Sequence, residues 1–225
     1  MLEVCEIFHQ KLIPFCEFEP RKLGVVDKIE YYIKDKGCKG VGEIKSRIRV
    51  DHPTLMKVYE LCAKLEVPVL IHLENRYDYD IKAFEKVVKR YSNTIFIAHG
   101  PGWWRENSAD ADPKYWERRD VAKAEENYPK GRIVPGGHVE RLLDECENLY
   151  GDLSAYSGYN AMTRDLEYAR QFLRKFHRKL LYRSDILDYF FPKYDLIEVM
   201  LRINLEEGVY REILHENATK LVKLI

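Results

Sequence analysis

Four ionisable residues each close a short apolar run: Glu43 after Gly-Val-Gly, His72 after Val-Leu-Ile, His99 after Ile-Phe-Ile-Ala, and Asp185 after Leu-Leu-Tyr-Arg-Ser. Two imidazoles and two carboxylates form a donor set suited to a divalent metal such as zinc, which lowers the pKa of bound water to roughly 7. His72 and His99 are the expected nitrogen ligands, with Glu43 and Asp185 as oxygen ligands. Asp185 has a second possible role, taking a proton from activated water and returning it to a leaving group, with Ser184 as a hydrogen-bonding neighbour. A single strand-end histidine is more often structural than ligating, and Glu43 could pair with Lys45 as a solvated ion pair. The weight lies in four such residues occupying the same place relative to their apolar runs.

For these side chains to meet, the runs must be parallel strands whose carboxyl ends share one rim, as in a (β/α) barrel. Strand patterns fall at 12–18, 40–45, 67–73, 94–98, 149–153 and 180–184. Helical periodicity falls at 2–11 and 21–36, from Pro53 to Leu65, behind an Asp80 cap, and at 138–147, 163–176, 195–203 and 206–222. His72 and His99 lie one strand-helix-strand period apart, with Glu43 one period earlier. Six strands fall short of the eight that close such a barrel in about 250 residues. The expectation is therefore an α/β fold: one incomplete TIM-type barrel domain over residues 1–225, its first two strands absent through truncation or as a natural reduction. Residues 100–137 are expected to form a long loop over the barrel mouth. There Trp103 and Trp104 could wall a substrate pocket or merely pin the loop, and Arg105 could pair a substrate carboxylate. Tyr156 and Tyr159 are further rim candidates, whereas His9, His52, His138, His177 and His215 read as surface or cap residues.

Composition bounds the partners. With 225 residues, 46% of them hydrophobic, the chain can bury one real core. Lys plus Arg number 37 and Asp plus Glu 37, so no charge excess points to nucleic acid or an anionic membrane, and the expected partner is a small molecule. Five scattered cysteines without a C-x-x-C pair read as buried thiols in a reducing compartment. No apolar run could span a bilayer and the amino terminus is too charged for a signal peptide, giving a cytoplasmic expectation.

The segments VLIHLE, TIFIAHGPGWW, LYGDLSAYSG, KLLYRSDI and LHENATKLV, in that order, resemble the amidohydrolase superfamily, and its amidohydrolase-related branch most of all. The resemblance runs from about Pro14 to the end of the chain. It implies a (β/α)8 barrel with one or two divalent metals at the mouth. By this resemblance His72 matches the histidine of the fifth strand, His99 that of the sixth, and Asp185 the aspartate of the eighth. Glu43 falls at the end of the fourth strand, where some branches place a bridging carboxylate or modified lysine. The resemblance further implies that His72 and Asp185 bind the metal, with His99 often a catalytic group. The family's His-x-His or Glu-x-His pair on the first strand has no counterpart here. Some superfamily members hold one metal through a fourth-strand glutamate and the two later histidines, a pattern that Glu43, His72 and His99 would satisfy.

Three functions follow as expectations. The first is a metal-dependent hydrolase, with zinc or manganese, acting on an amide, lactone or ester of a small molecule. The second is a non-oxidative decarboxylase of an aromatic or unsaturated carboxylic acid, with Arg105 holding the carboxylate. The third is a non-catalytic barrel remnant, or a subunit of an oligomer that completes its barrel with another chain through open sheet edges near Phe15 and Leu181.

Overall fold

A computed structural model describes residues 2–9, 11–74, 80–112, 128–185 and 196–223. Its centre is one parallel sheet of five strands in sequential order: β1 (Val41–Ile44), β2 (Val69–His72), β3 (Phe96–His99), β4 (Leu149–Asp152) and β5 (Leu180–Leu181). The helices are α1 (Leu2–Ile7), α2 (Val25–Lys34), α3 (Pro53–Leu65), α4 (Ile81–Arg90), α5 (Pro101–Arg105), α6 (His138–Glu145), α7 (Ala155–Thr163), α8 (Leu166–Phe176) and α9 (Leu196–Arg202). A last helical run comprises α10 (Glu207–Arg211), a π turn at Glu212–Glu216 and α11 (Asn217–Leu221). Asp195, expected at the start of α9, and residues 113–127 of the long loop lie outside the described residues. No helix among the described residues is long and apolar enough to cross a membrane.

Local sequence explains the helix starts. His52 Nδ1 accepts from the Thr54 amide at 3.2 Å, with Pro53 in the first turn where a missing N–H costs nothing. The Asp80 carboxylate accepts from the amides of Lys82 and Ala83 at 3.0 and 3.2 Å. Asp165 caps α8 through the Tyr168 amide at 3.2 Å, so the helix expected from residue 163 starts at Leu166, and α7, which was not expected, precedes it.

The strands are buried on both faces, as parallel strands under crossover helices must be. Val69, Ile71, Phe96, Ala98 and Leu149 join the main core with the helices. Leu70, Ile97 and Leu181 face the other way and form a second apolar cluster with Phe15, Tyr150, Ala218 and Leu221. β1 breaks the alternation: Val41 pairs with Val69, but Ile44 pairs with Ile71, so three residues oppose two. This irregularity lets Val41 and Ile44 both enter the main core while the backbone between them re-aims.

The strand count differs from the expected six. The 12–18 segment makes only a single parallel bridge, Cys16 to Val41, held by Cys16 N to Gly40 O and Gly42 N to Cys16 O, each at 3.0 Å. Pro14 has no N–H to extend the ladder. β5 is also shorter than expected, because β4 ends at Asp152 and leaves little backbone to pair with it.

The β5 edge, expected to be unsealed near Leu181, is covered by the chain's own last helices. Tyr182 N donates to Ile213 O at 2.9 Å, and Asn217 Nδ2 donates to Leu180 O at 2.9 Å and His177 O at 2.6 Å. Leu221 packs beneath against the second apolar cluster. Covering an edge with a helix removes a pairing-prone template. Replacing Asn217, only 4% exposed, with alanine leaves two carbonyls without this donor. N217A is expected to lose about 2–3 kcal/mol in urea unfolding and to shift toward larger species on size-exclusion chromatography, whereas an unchanged midpoint would show that the edge does not depend on this cover.

Candidate metal centre

The site forms where β1, β2 and β3 end. In-register parallel pairing sets His72 directly opposite His99, with ring centroids 5.1 Å apart. Glu43 reaches the same place from β1. Gly42 before it has φ of +138°, and a Cβ there would stand 2.6 Å from the Leu70 carbonyl oxygen, so only glycine allows β1 this close to β2. One ligand atom from each of Glu43, His72 and His99 lies within 4.8 Å of the others, the three-residue group among the described residues able to hold a metal ion.

Hydrogen bonds fix the orientation of each member. Glu43 Oε1 lies 2.7 Å from His72 Nδ1 and 4.0 Å from His99 Nε2. His99 Nδ1 is 3.0 Å from Ser154 Oγ and 3.6 Å from Asp152 Oδ1, which leaves Nε2 directed at the site. Asp152 is itself fixed by the Ser154 amide at 2.7 Å, and its backbone carbonyl accepts from Trp104 Nε1 at 2.7 Å. A carboxylate behind an imidazole whose other nitrogen faces outward is the support that metal-ligating histidines use. One carboxylate and two imidazoles at an open rim match a catalytic zinc-type donor set.

Asp185 stands beside the trio: Oδ2 is 3.7 Å from His99 Nε2, and Oδ1 is 3.4 Å from Arg183 Nη2. Its φ of +52° is a left-handed conformation that aspartate adopts more readily than most residues. Glu43 is engaged by His72 and Arg183, not by Lys45, and Arg183 is the partner observed for Asp185 where Ser184 was expected. The Arg183 guanidinium lies within 3.3–3.4 Å of Glu43, Asp152 and Asp185.

Trp103 and Trp104 are 0% and 2% exposed and pack edge-on against Phe84 and Phe172 respectively. Arg105 is buried with its guanidinium over Tyr128 at 5.2 Å. All three are buried residues of α5. A cavity of about 310 Å³ adjoins the site instead on the other face of the sheet, between Phe15, Leu70, Ile97, Leu181 and the polar groups of Glu43, Asp152 and Arg183.

Asp152, Ser154 and Arg183 were not singled out by the motif reading. Asp152 closes an apolar run as the other four do, and residues 181, 183 and 185 share one face by strand alternation, so both signals were in the sequence.

Burial alone would raise the Glu43 carboxyl, but the His72 hydrogen bond and the charges of His99, His72 and Arg183 outweigh it and hold the carboxyl at about 2. Burial likewise opposes the Asp152 charge, yet His99 and Arg183 keep its pKa below the ordinary value. His99 is moved the other way: burial disfavours its cation, but Asp152, Glu43 and Asp185 raise its pKa. A depressed carboxyl stabilises the fold above its unfolded value and loses that contribution as pH falls through the folded one. For Glu43 the window runs from about 4.5 down to about 2. In metal-free protein the E43Q variant is expected to lose stability less steeply than wild type across this window, measured by urea unfolding at stepped pH. Equal slopes would show that the Glu43 charge does not stabilise the folded state.

No family model matches the sequence, and no curated protein does. Solved structures do. An uncharacterised TIM-barrel protein from Bordetella bronchiseptica is 16% identical with a TM-score of 0.67, covering 99% of this chain and 70% of that one. A 5-carboxyvanillate decarboxylase from Novosphingobium aromaticivorans, solved with bound manganese, is 12% identical with a TM-score of 0.61, covering 99% and 68%. A probable 2-pyrone-4,6-dicarboxylic acid hydrolase from Acinetobacter baumannii is 14% identical with a TM-score of 0.58, covering 99% and 77%. At these identities the likeness concerns the fold, and with the parallel sheet and its alternating helices it establishes that the chain is an incomplete (β/α) barrel of the TIM type.

Proposed function

We propose that this chain is a metal-dependent enzyme of the amidohydrolase type, and that it hydrolyses an amide, lactone or ester of a small molecule. The observation that carries the reading is the convergence of Glu43, His72 and His99 within 4.8 Å at the carboxyl ends of three adjacent parallel strands. These three residues would hold one divalent cation, zinc or manganese, with Asp185 beside it. When bound, such an ion supplies Lewis acidity and lowers the pKa of water to roughly 7. The chain's own residues do the rest. Asp152 and Ser154 hold His99 with Nε2 facing the reaction space. Asp185, 3.7 Å from that nitrogen, would accept a proton from attacking water and return it to the leaving group. The cavity beside Glu43 would take the apolar part of the substrate.

Decarboxylation is the second reading, favoured by the several decarboxylases among the similar folds. Arg105 is buried over Tyr128 and does not line the cavity beside Glu43, so the guanidinium that would meet a substrate carboxylate there is that of Arg183.

Protein purified without chelator is expected to carry or take up one zinc or manganese per chain, and H72A and H99A to lose roughly 100-fold or more in affinity. Because His99 must be neutral to ligate and its pKa is raised, affinity is expected to weaken on acidification from a higher pH than an ordinary imidazole would set. Protein that neither contains nor takes up metal would overturn the proposal and favour the remnant. With aromatic esters, lactones and carboxylic acids as probes, oxygen from labelled water in the product marks hydrolysis, while carbon dioxide release without it selects decarboxylation.

A further inference from the structure

Glu43 faces two partners. Its Oε1 is turned to the imidazoles, while Oε2 is 3.3 Å from both Nη1 and Nη2 of Arg183. The same guanidinium is 3.4 Å from Asp152 Oδ2 and 3.4 Å from Asp185 Oδ1. All four contacts exceed the roughly 2.7–2.9 Å of a strong charge-assisted hydrogen bond. Arg183 therefore stands between three carboxylates without a short bidentate grip on any of them. One guanidinium cannot by itself balance three carboxylates, and the imidazoles of His72 and His99 are the other groups that face them.

We propose that Arg183 is a positioning residue that acts as a fixed counter-ion: it holds Glu43, Asp152 and Asp185 together in the metal-free protein and shares Glu43 with the bound ion. The inference rests on the metal-centre reading above. Sharing has two opposite effects on the metal. Arg183 orients the Glu43 carboxylate, which favours binding, and it places a positive charge across that carboxylate from the ion, which opposes binding. The orienting hydrogen bonds are long, whereas repulsion between a guanidinium and a divalent ion on one carboxylate acts in a partly desolvated place where Coulomb forces are weakly screened. Repulsion wins, so Arg183 makes the metal-free site stable and the metal weaker than the bare donor trio would hold it.

The test is manganese binding by isothermal titration calorimetry, paired with thermal melting of chelator-treated protein, on wild type, R183M, R183K and H72A. R183M is expected to bind manganese at least roughly tenfold more tightly than wild type. Its metal-free form is expected to melt lower, and its manganese-induced rise in melting temperature to be larger. R183K keeps the charge and is expected to stay within a few-fold of wild-type affinity. If R183M does not fold, R183Q takes its place with the same expected direction. Unchanged or weaker affinity in the charge-removing variant, with binding still lost in H72A, overturns the role of Arg183 and leaves the metal centre standing. Absence of manganese binding in every variant, or binding indifferent to H72A, overturns the metal centre and the role of Arg183 with it.

Discussion

Parallel, in-register pairing of short buried strands is the constraint on which the rest depends. Because β2 and β3 pair residue for residue, His72 must face His99, and because the strands point the same way, every strand-end side chain on the inner face arrives at one rim. The hydrogen-bonded ladder thus sets His72 against His99, and Ser154, Arg183 and Asp185 reach the site from just beyond the ends of β4 and β5. β1 obeys the same rule with one local exception: its irregular register keeps Val41 and Ile44 in the helix-side core and brings Glu43 to the imidazoles.

Gathering acids on one face of a sheet has an electrostatic cost, and the structure meets it with partners. Glu43, Asp152 and Asp185 are drawn together by the geometry that serves His72 and His99, and Arg183 stands among them with its charge. Asp152 is wholly enclosed, and its charge is kept by the Ser154 amide, His99 and Arg183. Stability of the fold and the arrangement of the candidate metal site are therefore set by the same few residues. Such linkage is common where a buried carboxylate cluster must persist both with and without its ligand.

The five strands of the described residues form an open parallel sheet, which has two edges to manage. On one side the Cys16 backbone covers β1, and on the other the last helices cover β5 through Ile213 and Asn217. Asn217, from the segment LHENATKLV, uses its amide to satisfy the carbonyls of His177, before β5, and of Leu180, within it. The inner apolar residues Leu70, Ile97 and Leu181 are partly covered by Ala218 and Leu221, and the space left over is the cavity beside Glu43.

The sequence by itself determined the ends of β2 and β3 and the placing of Glu43 in β1, and hence the three candidate ligands. Period-two burial and short all-apolar runs are local signals, and a parallel sheet converts them directly into position, so Glu43, His72, His99 and Asp185 were legible at the rim. Asp152 and Arg183 obeyed the same rules yet passed unnoticed, because an aspartate or arginine near a strand end has no distinctive chemistry until its neighbours are known. Tertiary structure alone decided the remainder. It set Trp103 and Trp104 in the core and Arg105 over Tyr128, because whether an aromatic side chain faces a pocket or a core depends on what packs against it from distant segments. It reduced the 12–18 segment to one bridge and moved helices onto the β5 edge. These are contacts between residues far apart in the chain, and no local pattern encodes which distant segment will satisfy a given backbone group.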